Sequence, residues 1–275
     1  MAPIIPPLIP RPTFSDLTAL ATKQFFAGDE SAARNFCRAL QDAGLIGRGQ
    51  RGRGGSNALR VTEIAAFLIA RLASSRPSEA AAMVKRYGQL RCVRSHMLSN
   101  AKASPREGSL SCIENAPSGW KHVSALRSGH RVSDLFEALI KDSLAGHLLP
   151  EYGPFPKQTL DLLLYTEITF YEPHVGVMLG TTSDPLNRPK PDLLRPHALY
   201  TNPVRRIEDQ AAQIAEFAKG YRHPVGSLKS QTTISLPSVV EFIHQLRLEP
   251  LIRLRGRESS HADVGKLEVA KVSPR

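Results

Sequence analysis

The chain has 275 residues, 41% of them apolar, enough for one large domain or two modest ones that each bury a core, and it offers no helical run of the roughly 18 apolar residues that cross a bilayer. Its 36 Lys and Arg against 25 Asp and Glu give a formal net charge of +11, which points toward a polyanionic partner. The three cysteines, Cys37, Cys92 and Cys112, contain no Cys-x-x-Cys pair, exclude a full disulfide framework and fit a reducing, cytoplasmic setting.

The charge is uneven. Residues 1–100 carry fourteen Lys and Arg against six Asp and Glu, residues 101–246 fifteen against fifteen, and residues 247–275 seven against four. The excess therefore sits at the two ends. Residues 1–13 form a proline-rich arm whose prolines interrupt any signal-peptide helix, and disorder is the expectation there.

Ser15 is placed to cap a first helix carrying Leu17, Leu20, Ala21 and Phe25 at helical spacing, and Gly28-Asp29 breaks it. A second helix is predicted from Asp29 or Ser31 to Ala43, with Ala33, Phe36, Cys37 and Leu40 on the inner face and Gly44 at its end. Its other face presents Ser31, Arg34, Asn35 and Arg38, side chains able to reach phosphates or base edges, so it is the candidate recognition helix.

Residues 47–60 then hold four arginines, five glycines and no acidic residue. Glycine allows close approach of main chain to a surface, and arginine forks two hydrogen bonds onto a phosphate or a guanine edge. Arg48, Gln50, Arg51, Arg53, Ser56, Asn57 and Arg60 are the candidate contacts of this segment. Thr62 is the expected cap of a third helix, Glu63–Ala73, with Ile64, Phe67, Leu68 and Leu72 inward. Pro77 opens a fourth helix to about Leu90, and Lys85, Arg86, Arg91 and Arg94 extend the basic surface.

Helix, turn, polar-faced helix, Gly44-Leu45-Ile46 corner, basic glycine loop, helix: this order over residues 14–73 resembles the winged helix-turn-helix domains of bacterial and phage regulators, closest in layout to the MerR-like arrangement. The resemblance places Arg34 where such domains put an arginine early in the second helix, and Arg48 to Arg60 in the place of the wing. It departs from the MerR-like pattern in lacking an aromatic-arginine-aromatic wing and a following coiled coil. What it implies is DNA binding in general, without effector-driven promoter untwisting.

Residues 95–118, rich in Ser, Asn, Pro and Gly, read as a linker between a 14–94 winged-helix domain and a 119–248 domain. Ser133 is the expected cap of an amphipathic helix with Leu135, Phe136, Leu139, Ile140 and Leu144 buried. Alternation over Gln158–Tyr171 predicts a strand, with Val175–Thr181 returning beside it as an antiparallel hairpin. A short strand at Ala198–Thr201, a helix at Val204–Lys219, a strand near Thr232–Leu236 and a helix opened by Pro237 complete an α+β unit suited to dimerisation or partner docking. Residues 249–275 are an expected disordered basic tail.

Other chemistries fit poorly. Gly47-x-Gly49-x-x-Gly52 meets the dinucleotide fingerprint by spacing but follows a helix instead of a strand, no Gly-Lys-Ser/Thr ending exists, and Cys92 with His96 makes half a zinc site at best. No nucleophile elbow or His-Glu-x-x-His motif is present, so no catalytic residue, metal or cofactor is assigned. The expectation is an α+β protein, a cytoplasmic, nucleoid-associated binder of double-stranded DNA that regulates transcription. It could also associate with itself or with the transcription machinery. The alternatives are a DNA-architecture protein of packaging, partition or recombination, an RNA-binding protein using the Gly/Arg segment as a clamp, and a protein-interaction adaptor.

Overall fold

The computed structural model describes residues 11–48, 58–93, 120–127, 129–145, 166–172, 176–181, 198–202 and 230–248. The proline-rich arm up to residue 10, the 95–118 linker, the predicted helix at 204–219 and the tail beyond 248 lie outside them.

Helix α1 spans Phe14–Phe25 and α2 spans Glu30–Asp42. Thr13, two residues before the expected Ser15, is the first cap: its hydroxyl accepts from the Asp16 N–H, and the Asp16 carboxylate accepts from the Thr13 N–H at 2.7 Å. Asp29, one of the two starts left open for α2, is its cap, accepting from the Ala32 N–H at 2.9 Å. Gly44, at φ +72°, closes α2 with a paired turn in which the Leu45 N–H donates to the Leu40 carbonyl and the Gly44 N–H to the Gln41 carbonyl. That backbone is left-handed, which glycine adopts without a Cβ penalty.

Helices α3, Val61–Ala73, and α6, Val132–Leu144, start one or two residues before the positions expected from Thr62 and Ser133. In both, the residue before the helix is an arginine whose own N–H is taken by the acid three positions on, Glu63 at 2.7 Å and Asp134 at 2.7 Å. The cap is thus carried by the acid, and no hydroxyl is needed. In α3 every residue from Ile64 to Ala70 is buried, as a helix apolar on all sides should be, because helix α4 (Pro77–Gly88), α6, strand β5 (Ser230–Ser235) and, through Phe242, a C-terminal helix pack on it.

Helix α4, Pro77–Gly88, stops short of the predicted Leu90, and Arg91–Val93 form strand β1 instead of extending a basic helix face. The short helix α5, Lys121–Ser124, rests on α6 through Asp142, which is fully buried and accepts the His122 and Val123 N–H groups at 3.0 Å while facing His122 Nδ1 at 2.8 Å.

Strands β2 (Thr166–Glu172), β3 (Gly176–Thr181), β4 (Ala198–Thr201) and β5 (Ser230–Ser235) join β1 in one antiparallel sheet of order β1-β4-β3-β2-β5. The expected hairpin is present as the β2–β3 pair, with Ile168 opposite Leu179 and Phe170 opposite Val177. Residues 158–165 of the predicted strand fall outside the described residues. A last helix, α7, covers 236–248.

One contiguous core holds residues from Leu17 to Leu246 and so draws on both sides of the linker. Within it the fully buried rings of Phe67 and Phe242 stack at 5.8 Å between centroids, and the half-buried Phe25 packs on Phe242 at 5.1 Å. The sheet joins through Phe170, whose ring lies 5.3 Å from that of Tyr87, and through the Tyr87 hydroxyl, which donates to the Tyr171 carbonyl at 3.0 Å. The class is α+β, with a mainly helical N-terminal half and an antiparallel sheet.

Candidate nucleic-acid interface

Helix α2 buries Ala33, Phe36, Cys37 and Leu40 and turns Ser31, Arg34, Asn35 and Arg38 outward, so its polar face is one continuous exposed strip. Burial on the inner side pushes the Cys37 thiol up to about 11 against a lowering hydrogen bond from Thr18, which leaves it protonated and inert at neutral pH. Beside the strip, between α1 and α2, runs a groove of about 580 Å³ lined by Thr18, Thr22, Lys23, Glu30, Arg34 and Arg38. Lys23 was not among the sequence-based candidates. It lies one helix away from the strip, and only the packing of α1 against α2 brings it there.

Two cations of this surface, one on the strip and one in the Gly/Arg segment, are held in ion pairs. Arg34 binds Glu30 one turn earlier on the same helix, and Arg48 binds Asp42 at 2.7 Å with both side chains about 70% exposed. Arg38 has no ion-pair partner among the described residues.

The Gly/Arg segment is anchored at both of its described ends. At its start, Gln41 Nε2 of α2 donates to the Gly47 carbonyl at 3.3 Å, which sets Arg48 next to the C-terminal turn of α2. At its end, Ala58 bridges Thr13 in antiparallel fashion and the Leu59 N–H donates to the Pro12 carbonyl at 2.8 Å, so the chain returns beside the start of α1. The structure therefore brings Ser31, Arg34, Asn35, Arg38, Arg48 and Arg60 to the exposed surface of the α1–α2–α3 unit. Gln50, Arg51, Arg53, Ser56 and Asn57 lie outside the described residues.

Among the described residues no helix is long and apolar enough to cross a membrane, and no group of three or more His, Cys, Asp or Glu is placed to hold a metal ion. No protein-family model matches this chain, and no curated protein or solved structure is significantly similar to it.

Proposed function

We propose that this chain is a sequence-specific double-stranded DNA-binding protein, a regulator of the winged helix-turn-helix type acting in the cytoplasm. The observation that carries the reading is the joint placement of the polar face of α2 and the Gly/Arg segment that follows it. The C-terminal turn of α2, just beyond its exposed Ser31–Arg38 strip, holds the start of the Gly/Arg segment, with Gln41 and Asp42 holding Gly47 and Arg48.

A helix with an uninterrupted polar face suits the major groove, and a cationic glycine segment leaving its C-terminal end suits the flanking backbone. The return of Ala58 and Leu59 to Pro12 and Thr13 supports the winged layout, because a wing must come back beside the first helix before the third begins. Residues 14–73 hold eight Lys and Arg against five Asp and Glu, so part of the charge excess of the first 100 residues falls on this unit.

Fluorescence anisotropy with random duplex, single-stranded DNA and structured RNA at several salt concentrations tests the reading. The duplex should bind tightest. Arg48→Ala and Arg60→Ala should each lower the slope of log K against log salt by about 1, whereas Arg38→Ala should weaken a preferred sequence by about 1–3 kcal/mol more than a random one. Equal binding of RNA and duplex, or a slope untouched by all three substitutions, would remove the assignment.

A further inference from the structure

Glu63 holds the base of the Gly/Arg segment closed. Its Oε1 accepts the Gly47 N–H at 2.8 Å and its Oε2 accepts the Arg60 N–H at 2.7 Å, so one carboxylate joins main-chain donors thirteen residues apart. We propose that Glu63 is a positioning residue of the DNA interface, fixing where Arg48 and Arg60 stand; this rests on the DNA-binding reading above.

The chain contains its own controls. Helices α1 and α6 also begin with an acid that takes the N–H of the residue three positions earlier, Asp16 to Thr13 and Asp134 to Arg131, each at 2.7 Å. Aspartate is thus sufficient to start a helix in this protein. Helix α3 carries the longer glutamate, and its second oxygen is the one that reaches Gly47. The approach there is close: a Cβ added to Gly47 would stand 3.0 Å from Glu63 Oε1.

The electrostatics give the proposal a sign. A carboxylate beside arginines repels phosphate, so neutralising it would tighten DNA binding if Glu63 were only a charge. If it is a clamp, the result is opposite. Glutamine supplies a single acceptor oxygen and puts an NH2 where the other N–H needs a partner, so one end of the segment is released and the arginines must be ordered again on binding. Aspartate keeps the charge and the local cap but retracts the carboxylate by about 1.5 Å, one carbon–carbon bond, which breaks the 2.8 Å contact to Gly47.

The experiment uses the full chain and a random-sequence duplex, with anisotropy across a salt series, thermal melting and amide exchange at Gly47. Glu63→Asp should lower the melting temperature by no more than about 5 °C, lose protection of the Gly47 amide, and bind duplex about tenfold more weakly, the cost of ordering Arg48 and Arg60 again on binding. Glu63→Gln should also bind more weakly, and Arg48→Ala should cost less in the Glu63→Asp background than alone, since the contact it removes is already displaced. Tighter binding by Glu63→Gln overturns the proposal. So does a Glu63→Asp chain that frees the Gly47 amide yet binds as before. If the unsubstituted chain itself fails to bind duplex at low salt, the interface reading falls and the positioning role falls with it, a result distinct from one confined to the variants.

Discussion

On the proposed DNA-binding reading, Arg34 and Arg48 would meet phosphate with carboxylates already attached. An exposed ion pair of this kind contributes about 0–1 kcal/mol, little for the fold but a direct tax on any phosphate that must replace it. Glu30→Gln and Asp42→Asn should therefore each tighten binding to random duplex about two- to fivefold while leaving the melting temperature nearly unchanged, measured by anisotropy and thermal scans. Binding that stays the same or weakens would mean that Arg34 and Arg48 do not meet phosphate. On the inner side of the same helix the Cys37 thiol makes a pH prediction. Its ordinary value of 9.0 rises to about 11 by burial, so below pH 9 folded and unfolded chains both keep the proton. Between 9.0 and about 11 the unfolded chain releases it first, and stability falls as pH rises through that window. Two pK units correspond to a loss on the order of 3 kcal/mol. Urea unfolding at pH 8 and pH 10.5 should show a smaller drop for Cys37→Ala than for the parent; an equal drop would place the alkaline loss elsewhere.

At the scale of elements, what could be read from the sequence depended on whether the signal was local. The spacing of Leu17, Leu20 and Ala21, of Phe36, Cys37 and Leu40, and of Leu135, Phe136 and Leu139 fixes a buried face within one helix, and those faces are the ones the fold buries. The β2–β3 pair was legible for the same reason. Helix starts were misplaced because hydroxyl residues drew the reading to Ser15, Thr62 and Ser133, whereas Thr13 caps α1 reciprocally with Asp16, and Glu63 and Asp134 do the capping of α3 and α6 from inside the helix. Strand β1 was missed because three residues carry no periodicity. Arg91–Val93 become a strand only by pairing with Thr201–Leu199, a partner more than a hundred positions away. The site divides along the same line: the strip on α2 is a local pattern, while Lys23 in the groove and Glu63 at the base of the segment depend on which elements meet.

At the scale of the whole molecule, the aromatic centre decides how the two halves respond to stress. Helix α7 buries Leu236, Val239, Val240, Phe242, Ile243 and Leu246, and its Phe242 ring packs on Phe25 and Phe67 of the N-terminal helices. Gln24 of α1 adds a 2.6 Å hydrogen bond to Gln245. An N-terminal unit expressed without residues 236–248 would expose the faces of Phe25 and Phe67 that this helix covers, so the α1–α2–α3 unit depends on α7 for its support. Phe242→Ala should cost about 3–5 kcal/mol, as deletion of a buried aromatic ring does, and the loss should be felt by both halves. The protein has one tryptophan, the buried Trp120 beside α5, whose fluorescence reports the C-terminal half, whereas far-UV ellipticity is dominated by α1–α4 together with α6 and α7. In urea the two signals should fall at one midpoint in the parent chain and shift together in Phe242→Ala. Separate midpoints, with only the fluorescence transition displaced by the substitution, would show that the helical N-terminal half stands without the ring that fills its core.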